Sequence, residues 1–165
     1  MRRLIFILAG ILIGLIQISL RGLGPEIVIP NLALVAVVFL SAKLDFSYLG
    51  TLAISLGVIL ELSSAAPAGT QILGLLLVVL VSKLLLRSSG EESQFWYLYA
   101  LLLSCTLGYS LALGLTVPFA ELQVHWGVLL GHIALECLYN SVLFGFCTAV
   151  AARQIDTKKK YRLPR

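Results

Sequence analysis

The amino-acid sequence predicts an all-helical membrane protein with six transmembrane helices. Of its 165 residues, 59% are hydrophobic and 12% are charged, which is about half the charged share of a typical soluble domain. The mean hydropathy is +1.00. Six crossings of about 20 residues use about 120 residues, so about 45 remain for all loops and tails. This length excludes a separate soluble catalytic domain, and three scattered cysteines exclude a disulfide scaffold.

The first two predicted spans cover residues 4–20 and 27–42. Arg2 and Arg3 precede the first span, and no small-x-small cleavage site lies before Arg21, so we predict an uncleaved helix rather than a signal peptide. Pro30 and Asn31 stand early in the second span. Proline is tolerated in the first turn of a helix, where its missing N–H group would have no partner.

The third and fourth predicted spans, residues 46–64 and 70–86, form a helical hairpin. Between Asp45 and Lys83 lie 37 residues with a single charge, Glu61. Pro67 and Gly69 break this stretch into two helices. Lys83 lies about one turn from the end of the fourth span, and we expect its side chain to reach the aqueous interface.

The fifth and sixth predicted spans cover residues 95–115 and 126–152. Aromatic residues cluster at the start of the fifth span, at Phe95, Trp96 and Tyr97, which is typical of a membrane interface. The tail, residues 153–165, carries six basic residues. This tail is either an orientation signal, which we favour, or a contact with anionic lipid headgroups.

Lysine and arginine residues predict the orientation of the chain. With the N-terminus in the cytoplasm, eleven of the twelve basic residues fall inside and only Arg21 falls outside. Cytoplasmic loops carry the excess of Lys and Arg in membrane proteins. We therefore predict that both termini are cytoplasmic.

Glu61 is the first of two carboxylates that the predicted membrane spans contain. Counted from Asp45, it lies about 24 Å along its helix, in the outer quarter. Two alternatives stay open with equal weight. Glu61 either faces water at the helix end, or lies inside the bundle near the turn and orients the hairpin or a partner helix.

The second carboxylate, Glu136, belongs to a polar group on the sixth span. Counted from Trp126, it lies about 15 Å along the helix, near the membrane midplane. His132, Glu136 and Asn140 are spaced i, i+4, i+8 and share one face. A polar stripe that joins helices or lines a cavity is favoured over a metal site, which would need more ligands. No nucleophile stands beside this group, and we predict no catalytic residue, metal or cofactor.

Pairs of glycines at i, i+4 predict close helix packing. Gly10 and Gly14 form one such pair, and Gly127 and Gly131 form another. Small residues at this spacing let two helix backbones approach each other in a membrane. The pattern names no partner helix.

A series of short motifs lies between residues 27 and 88. It consists of residues 30–34 (Pro-Asn-Leu-Ala-Leu), Gly50, residues 57–63 (Gly-Val-Ile-Leu-Glu-Leu-Ser) and residues 66–69 (Ala-Pro-Ala-Gly). In these motifs the chain resembles the MreD family, the membrane subunit of the bacterial rod-shape machinery. Glu61 stands where the family usually has an aspartate. We predict that one set of residues binds a partner or forms a structural polar network: Pro30, Asn31, Glu61, Gly69, His132, Glu136 and Asn140. Gly57 is predicted to pack helices.

The resemblance implies a non-catalytic scaffold in the bacterial cytoplasmic membrane. Such a protein binds the single-span scaffold MreC and links MreB filaments to RodA and its partner transpeptidase, with no nucleic-acid partner. The implied fold is similar to the substrate-binding subunits of energy-coupling-factor transporters, six helices around a central cavity. The alternative function is a small-solute-binding transporter subunit that uses His132, Glu136 and Asn140, with Gln17.

Overall fold

A computed structural model describes residues 2–22, 29–64, 68–88, 94–116 and 126–160. These residues form six α-helices and no strand, which confirms the all-helical class. The helices are α1 Arg2–Arg21, α2 Leu32–Ser41, α3 Phe46–Glu61, α4 Thr70–Ser88, α5 Gln94–Thr116 and α6 Trp126–Lys160. Within these residues, three windows are long and apolar enough to cross a membrane: Arg3–Arg21, Thr70–Arg87 and Leu130–Ala151.

Two helix boundaries differ by five or more residues from the sequence prediction. The predicted second span starts at residue 27, and residues 23–28 lie outside the described part; α2 itself begins only at Leu32. Asn31 ends the non-helical stretch, because its side-chain oxygen accepts a hydrogen bond from the Leu34 N–H and caps the helix. At the other terminus, α6 continues past residue 152 to Lys160. No proline or glycine interrupts residues 153–160.

Helix α2 is the centre of the bundle. It packs against each of the other five helices, and Ala33, Leu34, Val37 and Val38 are completely buried. Every residue from Leu32 to Leu40 is apolar, as expected for a helix that packs against neighbours around most of its circumference. The centre, where the resemblance implies a cavity, is therefore occupied by α2.

Contacts between side chains show which helices run in the same direction. Arg3 approaches Ser47 and the Phe6 ring lies beside Tyr48, while the Cα of Gly14 faces Ile59. The order of these pairs makes α1 and α3 parallel.

Contacts between other helices give the directions of the remaining helices. Gly57 of α3 faces Ile72 near the start of α4, so these two helices are antiparallel. Asn31 contacts Asn140, and one helix length later Phe39 contacts Phe144, so α2 and α6 are parallel. Lys83 of α4 contacts the end of α2. Phe95 and Thr106 of α5 contact Phe144 and Asn140 of α6 in reverse order, so consecutive helices alternate in direction. The bundle has a basic end that carries Arg3, Lys43, Lys83 and Arg87.

A lateral groove opens between α1 and α6, which do not pack against each other in the described part of the chain. We call it the α1–α6 groove. It has a volume of about 270 Å³. Its floor is α2, with Val35, Ala36 and Phe39, and its walls include Ile13 and Ile16 from α1 and Leu143 and Cys147 from α6.

Glycines bring α1 and α4 close to α3. A Cβ atom on Gly10 would lie 2.0 Å from the Ser55 hydroxyl, and one on Gly14 would lie 2.7 Å from the Ile59 side chain. Gly57 has the same role toward α4, because a Cβ atom there would lie 2.7 Å from the Ile72 Cα. By contrast, the described residues place no atom within 4 Å of a Cβ on Gly127 or Gly131. The first glycine pair therefore packs inside the bundle, while the second lies on its exposed surface.

We expect Gly57→Ala to destabilise the bundle by about 1–3 kcal/mol, the usual cost of overpacking. The new methyl group would collide with the backbone of α4, which cannot rotate away as a side chain does. Gly50→Ala is the matched control, because Gly50 lies on the same helix and a Cβ there meets no atom within 4 Å. Unfolding in mixed micelles by SDS titration measures both variants. Equal stability of the two would contradict the close approach of α3 and α4.

Candidate functional site

Four buried polar side chains meet where α2 begins. The Asn140 side-chain oxygen accepts a hydrogen bond from the Asn31 backbone N–H at 2.6 Å, and the Asn140 amide nitrogen donates to the Thr106 hydroxyl at 3.0 Å. The Gln17 side-chain oxygen accepts from the Leu32 N–H at 2.7 Å. All four side chains, Gln17, Asn31, Thr106 and Asn140, are buried. This polar network joins α1, α2, α5 and α6.

The polar network supplies partners for the first N–H groups of α2. The first N–H groups of any helix have no partner within the helix, and a buried polar group without a hydrogen bond is costly. Here Gln17 and Asn140 accept from two of them, and Asn31 accepts from the Leu34 N–H at 3.1 Å. Pro30 adds its carbonyl oxygen, which accepts from the Leu32 N–H at 3.0 Å. Neutral amides thus complete the helix end without burying a charge.

Lys83 supplies the corresponding partners at the other end of α2. Its ammonium group donates to the Ser41 carbonyl at 2.7 Å and also to the Leu44 carbonyl. The last carbonyl groups of a helix lack partners, and a cation there is favourable. The sequence indicated that Lys83 could reach the aqueous interface; the structure adds that its ammonium group binds backbone carbonyls at this end of the bundle. Its half-buried side chain turns inward and ties α4 to α2.

Glu61 fixes the turn of the α3–α4 hairpin. One carboxylate oxygen accepts from the Gly69 N–H at 2.7 Å, and the other accepts from the Gln71 N–H at 3.1 Å. A carboxylate is favourable at the start of a helix, where N–H groups point outward. Gly69 has φ = +93°, a conformation that glycine adopts without strain. The geometry matches the second alternative above, a carboxylate that orients the hairpin.

Gln71 completes this hairpin cap. Its amide nitrogen donates to the Ser64 hydroxyl at 3.2 Å, and its side chain is buried. The Gln71 side-chain oxygen is also buried, and the described residues supply no hydrogen-bond partner for it. The hairpin cap therefore consists of Glu61, Ser64, Gly69 and Gln71.

The three polar residues predicted to share a face of α6 lie in different environments. His132 is exposed, Glu136 is half-buried and Asn140 is completely buried. A helix turns 100° per residue, so each step of four residues moves about 40° around the axis. Over two steps the stripe rotates from the bundle surface into its interior. Only Asn140 enters the polar network.

The depth of Glu136 also differs from the sequence estimate. Gln17 and Asn140 both contact the start of α2, so they lie at the same level. Arg21 lies four residues beyond Gln17, and Glu136 lies four residues before Asn140, so each is about 6 Å farther from the basic end. Glu136 is thus level with the end of α1, rather than midway along the bundle. Counting from Trp126 fails because α6 projects beyond α1.

Sequence reasoning missed Lys83, Thr106 and Gln71 as parts of these contacts. Lys83 carried a usable signal, because it is a charge inside an apolar run. Thr106 and Gln71 carried none, since neutral polar residues are frequent in membrane helices. Within residues 2–22, 29–64, 68–88, 94–116 and 126–160, no three His, Cys, Asp or Glu side chains are placed to hold a metal ion.

Comparison with protein-family models, with curated proteins and with solved structures finds no match for this chain. Its function is therefore inferred from the contacts described above and from the sequence resemblance to the MreD family. Two features bear on that inference. They are the polar network at the start of α2 and the hairpin cap at the start of α4.

Proposed function

We propose that this protein crosses a bacterial cytoplasmic membrane six times, with both termini in the cytoplasm. Three windows have the length and apolarity to cross, and consecutive helices alternate in direction. Helix α2 has only 10 residues, about 15 Å, yet side chains from other helices satisfy both of its ends. Backbone groups inside a membrane need such internal partners. The basic end of the bundle would face the cytoplasm, as the distribution of Lys and Arg favours.

Reporter fusions at the C-terminus test this topology. A green fluorescent protein after Arg165 should fluoresce, because that reporter folds in the cytoplasm, and alkaline phosphatase at the same position should be inactive. When fused after Ser64, in the loop between α3 and α4, alkaline phosphatase should be active and green fluorescent protein should not fluoresce. An active phosphatase at Arg165 would show that the orientation is wrong.

We propose further that the protein is a non-catalytic scaffold of the MreD type. The observation that carries this proposal is that polar side chains within the bundle bind backbone groups of the protein's own helices. Asn31 and Asn140 bind the backbone at the start of α2, and Glu61 binds the backbone at the start of α4. These side chains build the fold, and Asn31, Gly57, Glu61 and Gly69 are also residues on which the resemblance rests.

In this role the protein would bind the single-span scaffold MreC. Together they would link MreB filaments to RodA and its partner transpeptidase in cell-wall elongation. Depletion in a rod-shaped host should give rounded cells, and a tagged copy should co-purify a single-span coiled-coil protein. Cells that stay rod-shaped, with nothing co-purified, would overturn the scaffold proposal.

The alternative of a solute-binding subunit has less support from the geometry. The four side chains proposed to hold the solute do not converge, because His132 is exposed while Gln17 and Asn140 already bind the start of α2. The groove that the described residues form on α2 is open and apolar. A thermal shift of the purified protein with one member of a vitamin panel would reverse this preference.

We expect Glu61→Gln to weaken the hairpin cap and, through it, the binding of the single-span partner. The amide that replaces the carboxylate offers one acceptor oxygen to two N–H groups, and its NH₂ group faces a donor. The expected loss of stability is about 1 kcal/mol, that of one hydrogen bond. Asp45→Asn is the matched control, because Asp45 is exposed and its side chain makes no capping hydrogen bond. Partner recovery in pull-downs and unfolding in SDS measure the two effects.

A further inference from the structure

The α1–α6 groove combines an apolar lining with a cation at one end. Its floor residue Phe39 lies one turn before Lys43, and the Lys43 ammonium nitrogen lies 4.3 Å from the centre of the Phe39 ring. Such a cation over an aromatic face is attracted to it. The Lys43 side chain is otherwise exposed, so its charge remains accessible to a ligand in the groove.

The size of the groove favours an acyl chain over a helix. A helix with its side chains is about 10 Å across, so a 15 Å length of it fills roughly 1,200 Å³. The groove offers about 270 Å³, so it can enclose a narrow chain but only part of a helix. Between Leu32 and Phe39 the groove runs about 11 Å along α2, which is within the roughly 15 Å of one leaflet.

The charges at the basic end of the bundle determine which lipid headgroup the groove would prefer. Lipid tails are as apolar as the groove lining, so chain burial alone gives little preference for one lipid over another. Lys43 and Arg3 are exposed cations at this end, and Asp45 is an exposed carboxylate. Lys83 is already bonded to α2. On α6, Arg153 lies six residues beyond the groove residue Cys147, about 9 Å.

We propose that the α1–α6 groove binds an acyl chain of an anionic phospholipid, whose phosphate group is held by Lys43. Basic pockets between transmembrane helices on the cytoplasmic side bind anionic headgroups in this way. The site rests on the cytoplasmic placement of the basic end, which the reporter fusions test separately. It does not depend on the scaffold role.

Native mass spectrometry of the full chain in detergent tests the site. The probes are palmitoyl-oleoyl phosphatidylglycerol, which is anionic, and phosphatidylcholine with the same chains. We expect tighter binding of phosphatidylglycerol, and a loss of about fivefold with Lys43→Gln, equivalent to about 1 kcal/mol for one basic residue near an anionic lipid. Arg87→Gln, an exposed cation on α4, is the control and should change nothing.

A second variant tests the groove itself. Ala36→Phe fills the floor and should remove the tightly bound lipid, while Leu77→Phe on the exposed face of α4 should retain it. Equal binding of the two lipids by the unmodified protein, or no effect of Lys43→Gln, would overturn the proposal. So would loss of a co-purified single-span partner in Ala36→Phe without any headgroup preference, since the groove would then be a helix-docking site.

Discussion

Asn140→Leu should destabilise the bundle by on the order of 3 kcal/mol. The substitution removes the acceptor of the Asn31 N–H, which is buried at the start of α2, and an unsatisfied buried group costs about 1–3 kcal/mol. It also removes the hydrogen bond to Thr106, and such bonds between membrane helices average about 0.6 kcal/mol. Leucine has the same branched set of four side-chain heavy atoms as asparagine, so the loss reports mainly the hydrogen bonds.

SDS titration in mixed micelles, followed by circular dichroism, measures this loss. Ser141→Ala is the control, because among the described residues the Ser141 hydroxyl donates only to the Cys137 carbonyl of its own helix. Thr106→Val combined with Asn140→Leu should cost less than the sum of the two single changes, since both remove the same bond. Full additivity would contradict the hydrogen bond between Asn140 and Thr106. An Asn140→Leu variant as stable as the parent would show that Asn140 does not hold α2.

Lys83→Met should have the second large effect, at the opposite end of α2. Methionine keeps the length and flexibility of the side chain but leaves the Ser41 and Leu44 carbonyls without their donor. Ser41 is completely buried, so leaving its carbonyl without a hydrogen bond should lower the free energy of unfolding by about 1–3 kcal/mol. We expect a total loss of about 2–4 kcal/mol in the same titration, because two carbonyls are affected.

Two further variants separate the hydrogen bonds of Lys83 from its charge. Lys83→Arg keeps several N–H donors and should recover part of the stability. Arg87→Met removes an exposed cation one turn later on the same helix and should have little effect, as surface charges usually do. If both methionine variants lose stability equally, Lys83 acts through the overall charge of the basic end and does not cap α2.

The hairpin shows how far local sequence signals reach. Pro67, Gly69 and a charge-poor stretch of 37 residues predict two helices with a turn, and the structure contains α3 and α4 there. The same signals left the role of Glu61 open between two alternatives. Its partners, the N–H groups of Gly69 and Gln71, lie only eight and ten residues away, yet their direction depends on how the turn folds back.

The polar stripe on α6 shows where sequence counting fails. Its spacing predicts one shared face, but the burial of His132 and Asn140 differs completely. The rotation of about 40° per four residues follows from helix geometry. Which part of that arc faces the bundle depends on where α2 and α5 lie. The level of Glu136 along the bundle is not predictable from the sequence for a related reason, because no local signal shows that α6 projects beyond α1.

The sequence by itself determined the helical class, the number and order of the helices and the gathering of basic residues toward one end. Apolar length, helix-breaking residues and charge are local properties of the chain. Only the tertiary structure decided that Asn140 binds Asn31, 109 residues away, and that Lys83 binds Ser41, 42 residues away. Short helices must find partners for their end groups on other helices, and which side chains supply them depends on how the helices pack.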